Sequence, residues 1–323
     1  MSDESKTQSP KPKTAFVFPG QGSQTVGMGK DLFDNFAVAR ETFAEADETL
    51  GFSLSKLCFE GDAEKLQLTE NTQPAILTTS IAAFRVMMSE GFSMPDFVAG
   101  HSLGEYSALV AAGAMRFADA VKVVNLRGKF MQEAVPFGIG AMAAILGANL
   151  QTVEDACVEA AEKQICGAAN INSTSQIVIA GHAEAVERAI EIVKAKGAKR
   201  AIKLNVSAPF HCALMLPAQE KLTLELEKIE FADLRFPCVS NVDAKPNTIG
   251  ENARKLLVSQ VTAPVRWSQT VEFFAQNNVS SFVEVGTGKV LSGLIRQGFR
   301  DANCLNVEDK TSLHLSKLSL QNN

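Results

Sequence analysis

The stretch FVAGHSLGEYSALVAAG (97–113) restricts what this chain can fold into more than any other. Four residues of strand character run into Gly100-His101-Ser102-Leu103-Gly104, and an apolar, helix-prone run follows at once. A strand that becomes a helix within five residues needs a sharp, strained bend, which requires small residues on both sides of the central serine. The pattern is G-x-S-x-G, and it projects Ser102 at a helix N-terminus. Exposed backbone N–H groups and the helix dipole favour a developing oxyanion there. A glycine-rich turn with a bystander serine would satisfy the five residues alone. The flanking strand and helix favour a nucleophile that carries an acyl group as an ester.

The rest of the chain supplies the sheet that such a bend needs. TAFVF (14–18) has the character of a short buried strand and runs into turn-like PGQGSQ. Leu32, Phe36, Ala39 and Phe43 recur at helical spacing within 29–50. Further helices are expected at 74–90, with Pro74 in the first turn, and at 118–134. Between 141 and 206 the texture changes. AMAAILG (141–147), a helix at 151–164, GAANI (167–171), QIVIAG (176–181), a helix at 183–195 and AIKLNV (201–206) follow in the order β-α-β-β-α-β. That order is ferredoxin-like. Alternation then resumes with a helix at 217–229, FPCVSN (236–241), a helix at 268–278, SFVEVG (281–286) and a helix at 290–297. The expected fold class is α/β, with a discontinuous core of largely parallel sheet over 14–134 and 208–323. A small ferredoxin-like subdomain is inserted at 135–207, and the polar residues 1–13 are expected to be a disordered tail.

Composition removes several function classes. The 323 residues are 46% hydrophobic and 21% charged, as in a soluble globular protein. A net charge of −5 argues against nucleic acid as the main partner, since phosphate binding needs a basic footprint. The six cysteines show no C-x-x-C spacing, so free thiols in a reducing compartment are expected. The N-terminus has no apolar signal region, and no apolar run is long enough to span a membrane. A cytoplasmic protein without membrane contact is expected.

A serine hydroxyl needs a base. Only four histidines are available. His101 adjoins Ser102 in a tight turn, so its ring should point away. His182 opens a helix of the insertion, where a capping or surface role fits. His314 lies in a mixed polar stretch near the C-terminus. His211 follows a strand and the loop SAPF, where the main domain resumes, and elimination favours it. Asp309 and His314 are too close together and too near the end for the usual late acid and histidine of an α/β hydrolase. No other acid stands out as the group that orients the base, and a backbone carbonyl can do that work.

Arg127 is the second unusual residue. Its neighbours at i−4, i−3, i+3 and i+4 are Val123, Val124, Phe130 and Met131, so helix geometry puts a guanidinium on a face that should be buried. A buried charge needs an anion. Two are open at this point, a carboxylate of the protein or a carboxylate of the substrate, which the arginine fork can bind with two hydrogen bonds.

FPGQGSQ (18–24), GHSLGEYSA (100–108), Arg127 within RGKFMQ, SAPFH (207–211) and VGTGKVLSGL (285–294) occur together, in order. In that combination the chain resembles the malonyl-CoA:acyl carrier protein transacylases of bacterial fatty-acid synthesis, from Thr14 to about residue 300. The resemblance implies an α/β hydrolase-like core with the small insertion. It implies Ser102 as nucleophile, His211 as base oriented by backbone carbonyls with Gln260 nearby, and the Gln21 and Leu103 backbone amides as oxyanion hole. It also implies Arg127 as ligand of the malonyl carboxylate and Asn172 at the acyl entrance. The activity implied is ping-pong transfer of malonyl from CoA to the phosphopantetheine thiol of acyl carrier protein, with no metal and no cofactor beyond the CoA thioester. Malonyl-CoA and acyl carrier protein are the expected partners of a monomer.

Acyl carrier protein is acidic, so docking needs a local positive patch on an acidic chain. Lys194, Lys196, Lys199 and Arg200 cluster before the strand that leads to His211. A docking patch centred on Lys199 and Arg200 and an ordinary solvated helix end are equally good readings of that cluster. Two rivals share part of the pattern. A serine hydrolase would use Ser102 without needing Arg127, and a non-catalytic carrier-protein binding module would need neither.

Overall fold

The computed structural model describes residues 12–136, 138–206 and 208–321. In chain order the elements are β1 (Lys13–Phe18), α1 (Lys30–Asn35), α2 (Ala37–Leu50), α3 (Leu54–Glu60), α4 (Ala63–Gln67), α5 (Thr69–Ser89), β2 (Phe97–Gly100), α6 (Leu103–Ala111) and α7 (Phe117–Glu133). Next come β3 (Gly140–Leu146), α8 (Leu150–Ala161), β4 (Cys166–Ser173), β5 (Gln176–His182), α9 (Ala183–Ala195) and β6 (Arg200–Lys203). The last stretch holds α10 (Leu216–Leu226), β7 (Cys238–Val239), β8 (Pro246–Asn247), α11 (Gly250–Gln260), α12 (Trp267–Gln276), β9 (Val279–Val285), α13 (Val290–Gly298), β10 (Asn303–Val307) and α14 (Lys310–Gln321).

Two sheets organise these elements. The larger has the order β10-β9-β1-β2-β7-β8, parallel throughout except for the short antiparallel pair β7–β8. Its middle strand shows why it sits inside. Phe16 and Phe18 of β1 enter the hydrophobic cluster formed with α2, α5, α6 and α7, while Ala15 and Val17 enter the opposite cluster with Trp267, Phe274 and Leu291. A parallel sheet covered on both faces must be apolar at every position, and TAFVF is close to that. The smaller sheet, β4-β5-β3-β6, is antiparallel throughout. Ala141, Ala143 and Ile145 of β3 pack under α8 and α9, and Met142 between them faces Cys212 and Phe210 on the other side. The fold is therefore α/β with a largely parallel sheet and a second, antiparallel one.

Several boundaries differ from the sequence reading. The 29–50 helix is broken at Phe36, which is extended (φ −128°, ψ 129°), so α1 and α2 are separate. Helix α5 begins at Thr69 and places Pro74 inside it. A proline there frees the carbonyl four residues back, and Asn125 of α7 donates to that Glu70 carbonyl at 2.8 Å. Gly128 allows the approach, since a Cβ there would lie 2.5 Å from the Thr69 carbonyl. Helices α3, α4, α11 and α14 and strands β8 and β10 have no counterpart in the sequence reading. Of the segment expected as a tail, residues 1–11 lie outside the described residues, and Lys13 belongs to β1. Among the described residues, no helix is long and apolar enough to cross a membrane.

The bend after β2 is as tight as its sequence implies. A Cβ on Gly100 would lie 1.9 Å from the Gly104 carbonyl carbon, and one on Gly104 would lie 2.0 Å from the Phe18 carbonyl oxygen. Helix α6 thus starts in contact with the end of β1. Gly293, exposed on α13, has nothing within 4 Å of the same position. In urea unfolding, Gly104→Ala is expected to lose about 2 kcal/mol or more to overpacking. Gly293→Ala is expected to gain up to about 1 kcal/mol from helix propensity.

Candidate active site

The site forms where the C-terminal ends of β1, β2 and β7 meet the smaller sheet, the usual ligand position in open α/β sheets. Ser102 occupies the residue before α6 with φ 52° and ψ −106°, a conformation that costs a non-glycine residue on the order of 1–3 kcal/mol. His211 also has positive φ, 59°. Around the bend, the Asn241 side chain accepts from the Ser102 backbone N–H at 2.7 Å and donates to the Gly100 carbonyl at 2.7 Å. Asn241 follows β7 by two residues, so the neighbouring strand clamps the turn.

Ser102 and His211 are brought together. The Ser102 hydroxyl donates to His211 Nε2 at 2.7 Å, and His211 Nδ1–H donates to the Gln260 backbone carbonyl at 2.9 Å. The carbonyl fixes the tautomer that leaves Nε2 free to accept a proton. Burial and the nearby Arg127 guanidinium push the His211 pKa down to about 3, so the ring is neutral. His101 turns away. Its Nε2–H donates to Asn172 Oδ1 at 2.8 Å and its ring tilts against Trp267. His182 Nδ1 accepts from the Ile165 N–H within the small sheet, and His314 is exposed on α14. Asp309 bonds Ser312 at the start of α14.

Arg127 is 2% exposed and forms no ion pair among the described residues, so the protein-carboxylate alternative is not what the fold provides. Its Nη1 donates to Gln73 Oε1 at 2.8 Å. Its Nη2 donates to Gln260 Oε1 at 2.9 Å and to Ser102 Oγ at 3.2 Å. Nε is buried with no hydrogen-bond partner. The guanidinium carbon lies 5.5 Å from the centre of the Tyr106 ring. A buried cation held by neutral amides, with its Nε unpartnered among the described residues, is able to take an anion from outside.

Gln260 joins these groups. Beyond its two oxygens, its Nε2 donates to the Ser102 carbonyl at 2.9 Å and to Glu105 Oε2 at 2.7 Å. Glu105 is 2% exposed, and burial pushes its pKa up to about 7 against the pull of hydrogen bonds from Gln260 and the Asn241 N–H.

A cavity of about 610 Å³ opens over Ser102, His211 and Arg127. Gln21, Gln24 and Gln67 line it, as do Met142 and Asn170 of the smaller sheet and Leu204 to Val206 just after β6. Gln21 lines the cavity, and Leu103 follows Ser102 in the chain. Neither backbone N–H is taken by a protein acceptor among the described residues. Asn172 is placed differently from its expected position at the acyl entrance. It is buried against His101, and Asn170 lines the cavity. Register irregularities on both sides of Asn170–Ile171 break the simple alternation of β4, so the sequence does not say which asparagine faces in. Lys199 and Arg200 are exposed at the far end of β6 and form no ion pair among the described residues, whereas Lys194 and Lys196 pair with Glu191 and Glu159. Among the described residues, no group of three or more His, Cys, Asp or Glu side chains could hold a metal ion.

Four residues of the site escaped the sequence reading: Gln73, Glu105, Asn170 and Asn241. Glu105 carried a usable signal, an acidic residue within an otherwise apolar helix, the same kind of signal that singles out Arg127. Asn241 carried another, a polar residue just past a parallel strand.

Comparison with known proteins places this geometry. The acyl transferase domain family matches residues 15–317. The chain is 55% identical over 283 residues to the malonyl CoA-acyl carrier protein transacylase of Escherichia coli K12, covering 88% of this chain and 92% of that protein. It is 48% identical over 310 residues to the protein of the same name from Bacillus subtilis 168, covering 96% and 98%. Among solved structures it superposes with TM-score 0.93 on an acyl carrier protein S-malonyltransferase from Vibrio cholerae, at 46% identity over 94% of this chain and 99% of that one. It superposes with TM-score 0.92 on a malonyl-transacylase in complex with its type II PKS acyl-carrier protein, at 49% identity over 96% and 100%.

The His211 environment sets a pH dependence. Protonation of Nε2 removes the acceptor for the Ser102 proton, so reactivity falls as pH drops through the folded pKa. With that pKa near 3 rather than 6.5, labelling of Ser102 by a fluorophosphonate probe is expected to stay within about twofold between pH 7.5 and 5.5. Intact-mass kinetics across that range measure it.

Proposed function

The chain belongs to the acyl transferase family, and from that premise we propose that it moves a malonyl group from CoA to the phosphopantetheine thiol of acyl carrier protein, supplying extender units for fatty-acid synthesis. The observation that carries the choice of acyl group is Arg127, a buried guanidinium with no ion pair among the described residues, 3.2 Å from the hydroxyl that reacts. The names of the relatives support the same reading.

Malonyl-CoA enters with its carboxylate on Arg127, which a bidentate arginine–carboxylate pair holds in one orientation. His211 Nε2 takes the Ser102 proton as Oγ attacks the thioester carbonyl. The negative charge collects on the carbonyl oxygen, where the Gln21 and Leu103 N–H groups stabilise it. The carbon–sulfur bond breaks, the proton on His211 passes to the CoA sulfur, and a malonyl-serine ester remains. The carrier thiol then repeats the steps in reverse. Its proton goes to His211, its sulfur attacks the ester carbonyl, and Ser102 Oγ recovers the proton as it leaves. No cofactor beyond the CoA thioester enters these steps. Catalysis takes place in a cytoplasmic monomer that meets its carrier partner transiently. Lys199 and Arg200, which carry no carboxylate among the described residues, serve as the docking patch for that acidic partner.

Intact mass spectrometry after mixing with malonyl-CoA tests the transfer. A malonyl adduct is expected that Ser102→Ala abolishes and that carrier protein discharges. Rapid hydrolysis without transfer points to a hydrolase, and no adduct points to a binding module. For docking, the Lys199→Glu, Arg200→Glu pair is expected to raise the KM for carrier protein about tenfold and leave that for malonyl-CoA unchanged. Steady-state kinetics with each substrate varied in turn read both, and equal effects on the two would refute the patch.

A further inference from the structure

The Glu105 carboxylate takes no part in the transfer steps, yet it lies buried between two groups that hold the site. Its Oε2 accepts from Gln260 Nε2 at 2.7 Å and from the Asn241 backbone N–H at 3.3 Å. Gln260 presents its amide oxygen to Arg127 Nη2 at 2.9 Å and its amide nitrogen to the Ser102 carbonyl at 2.9 Å. The two ends of a side-chain amide have nearly the same shape, so hydrogen-bond partners alone decide which way it faces. Turned over, Gln260 would set a donor against the guanidinium and an acceptor against both Glu105 and the Ser102 carbonyl. Three acceptors oppose this, the Ser102 carbonyl, Asn241 Oδ1 at 3.4 Å and Glu105. Glu105 is the ionisable one and the shortest contact, and a hydrogen bond to a carboxylate is about twice as strong as one between neutral groups.

On the basis of malonyl transfer as the reaction, we propose that Glu105 is a positioning residue for acyl selectivity. By accepting the Gln260 side-chain N–H it fixes the amide oxygen toward Arg127, and so fixes the guanidinium that receives the acyl carboxylate. His211 is outside this chain of effects. The imidazole is held by the main-chain carbonyl of Gln260, which stays in place whichever way the side chain faces. The bend loses one contact, at the Ser102 carbonyl, and keeps the Asn241 side chain on the Ser102 N–H and the Gly100 carbonyl, so losing Glu105 acts on recognition of the carboxylate more than on the reaction at the thioester.

The discriminating measurement is the ratio of kcat/KM for malonyl-CoA to that for acetyl-CoA, with the same carrier protein as acceptor. A ratio taken within one preparation does not depend on how much of the protein is folded. Glu105→Ala is expected to lower the ratio about tenfold or more while acetyl transfer stays within about threefold. Glu105→Leu, which fills the space, serves the same purpose where the alanine variant does not fold. Glu105→Gln still offers an oxygen to Gln260 and is expected to keep the ratio within about threefold of wild type. An unchanged ratio in the alanine and leucine variants overturns the proposal, as does a glutamine variant that falls as far as they do. A wild-type enzyme with no preference for malonyl-CoA would instead remove the malonyl reading itself, a result visible before any variant is made.

Discussion

A buried guanidinium needs the surrounding dipoles turned the right way, and here that requirement falls mainly on one glutamine. Gln260 ends α11 and uses its main-chain oxygen, side-chain oxygen and side-chain nitrogen on three different parts of the site. The imidazole, the guanidinium and the bend that carries the serine are thus referred to one residue. The group behind the histidine is a carbonyl, which orients the ring without carrying net charge, and the nearby carboxylate, Glu105, bonds the Gln260 side chain instead.

The topology explains how these groups arrive together from distant parts of the chain. Ser102 comes from the end of β2, Asn241 from the end of β7, and the Gln21 segment from the end of β1, three neighbours in one parallel sheet. Parallel register puts their C-terminal ends on one edge. The antiparallel sheet faces that edge with Met142, Asn170 and Leu204, and the chain leaving β6 runs directly into His211. The smaller sheet thus forms a wall of the cavity, and the base follows its last strand in the chain.

What could be read from the sequence depends on how local each signal is. The strand–turn–helix around Ser102 is fixed within seventeen residues, and its glycines are required by contacts as close as the pattern implied. Arg127 was legible because helical spacing alone says which face a residue occupies. The β-α-β-β-α-β order was legible because each element has its own period. Pro74 misled in the opposite way. Its local rule places it at a helix start, but Asn125, fifty-one positions later, satisfies the carbonyl that the proline frees. Asn241 and Gln73 act through partners on other elements, and nothing near them in sequence names those partners. The choice between Asn170 and Asn172 was lost to register irregularities in β4, which depend on pairing with β5 and with Val265.

Ser102 and His211, the two residues between which the proton moves, both sit at positive φ without being glycine. Neither conformation is one the unfolded chain would favour, and each is maintained by hydrogen bonds from elsewhere in the structure. The polypeptide would therefore be more comfortable with glycine at either position. A search for stabilised variants that ignored activity would be drawn to these two residues first, because at both of them robustness and reactivity pull in opposite directions.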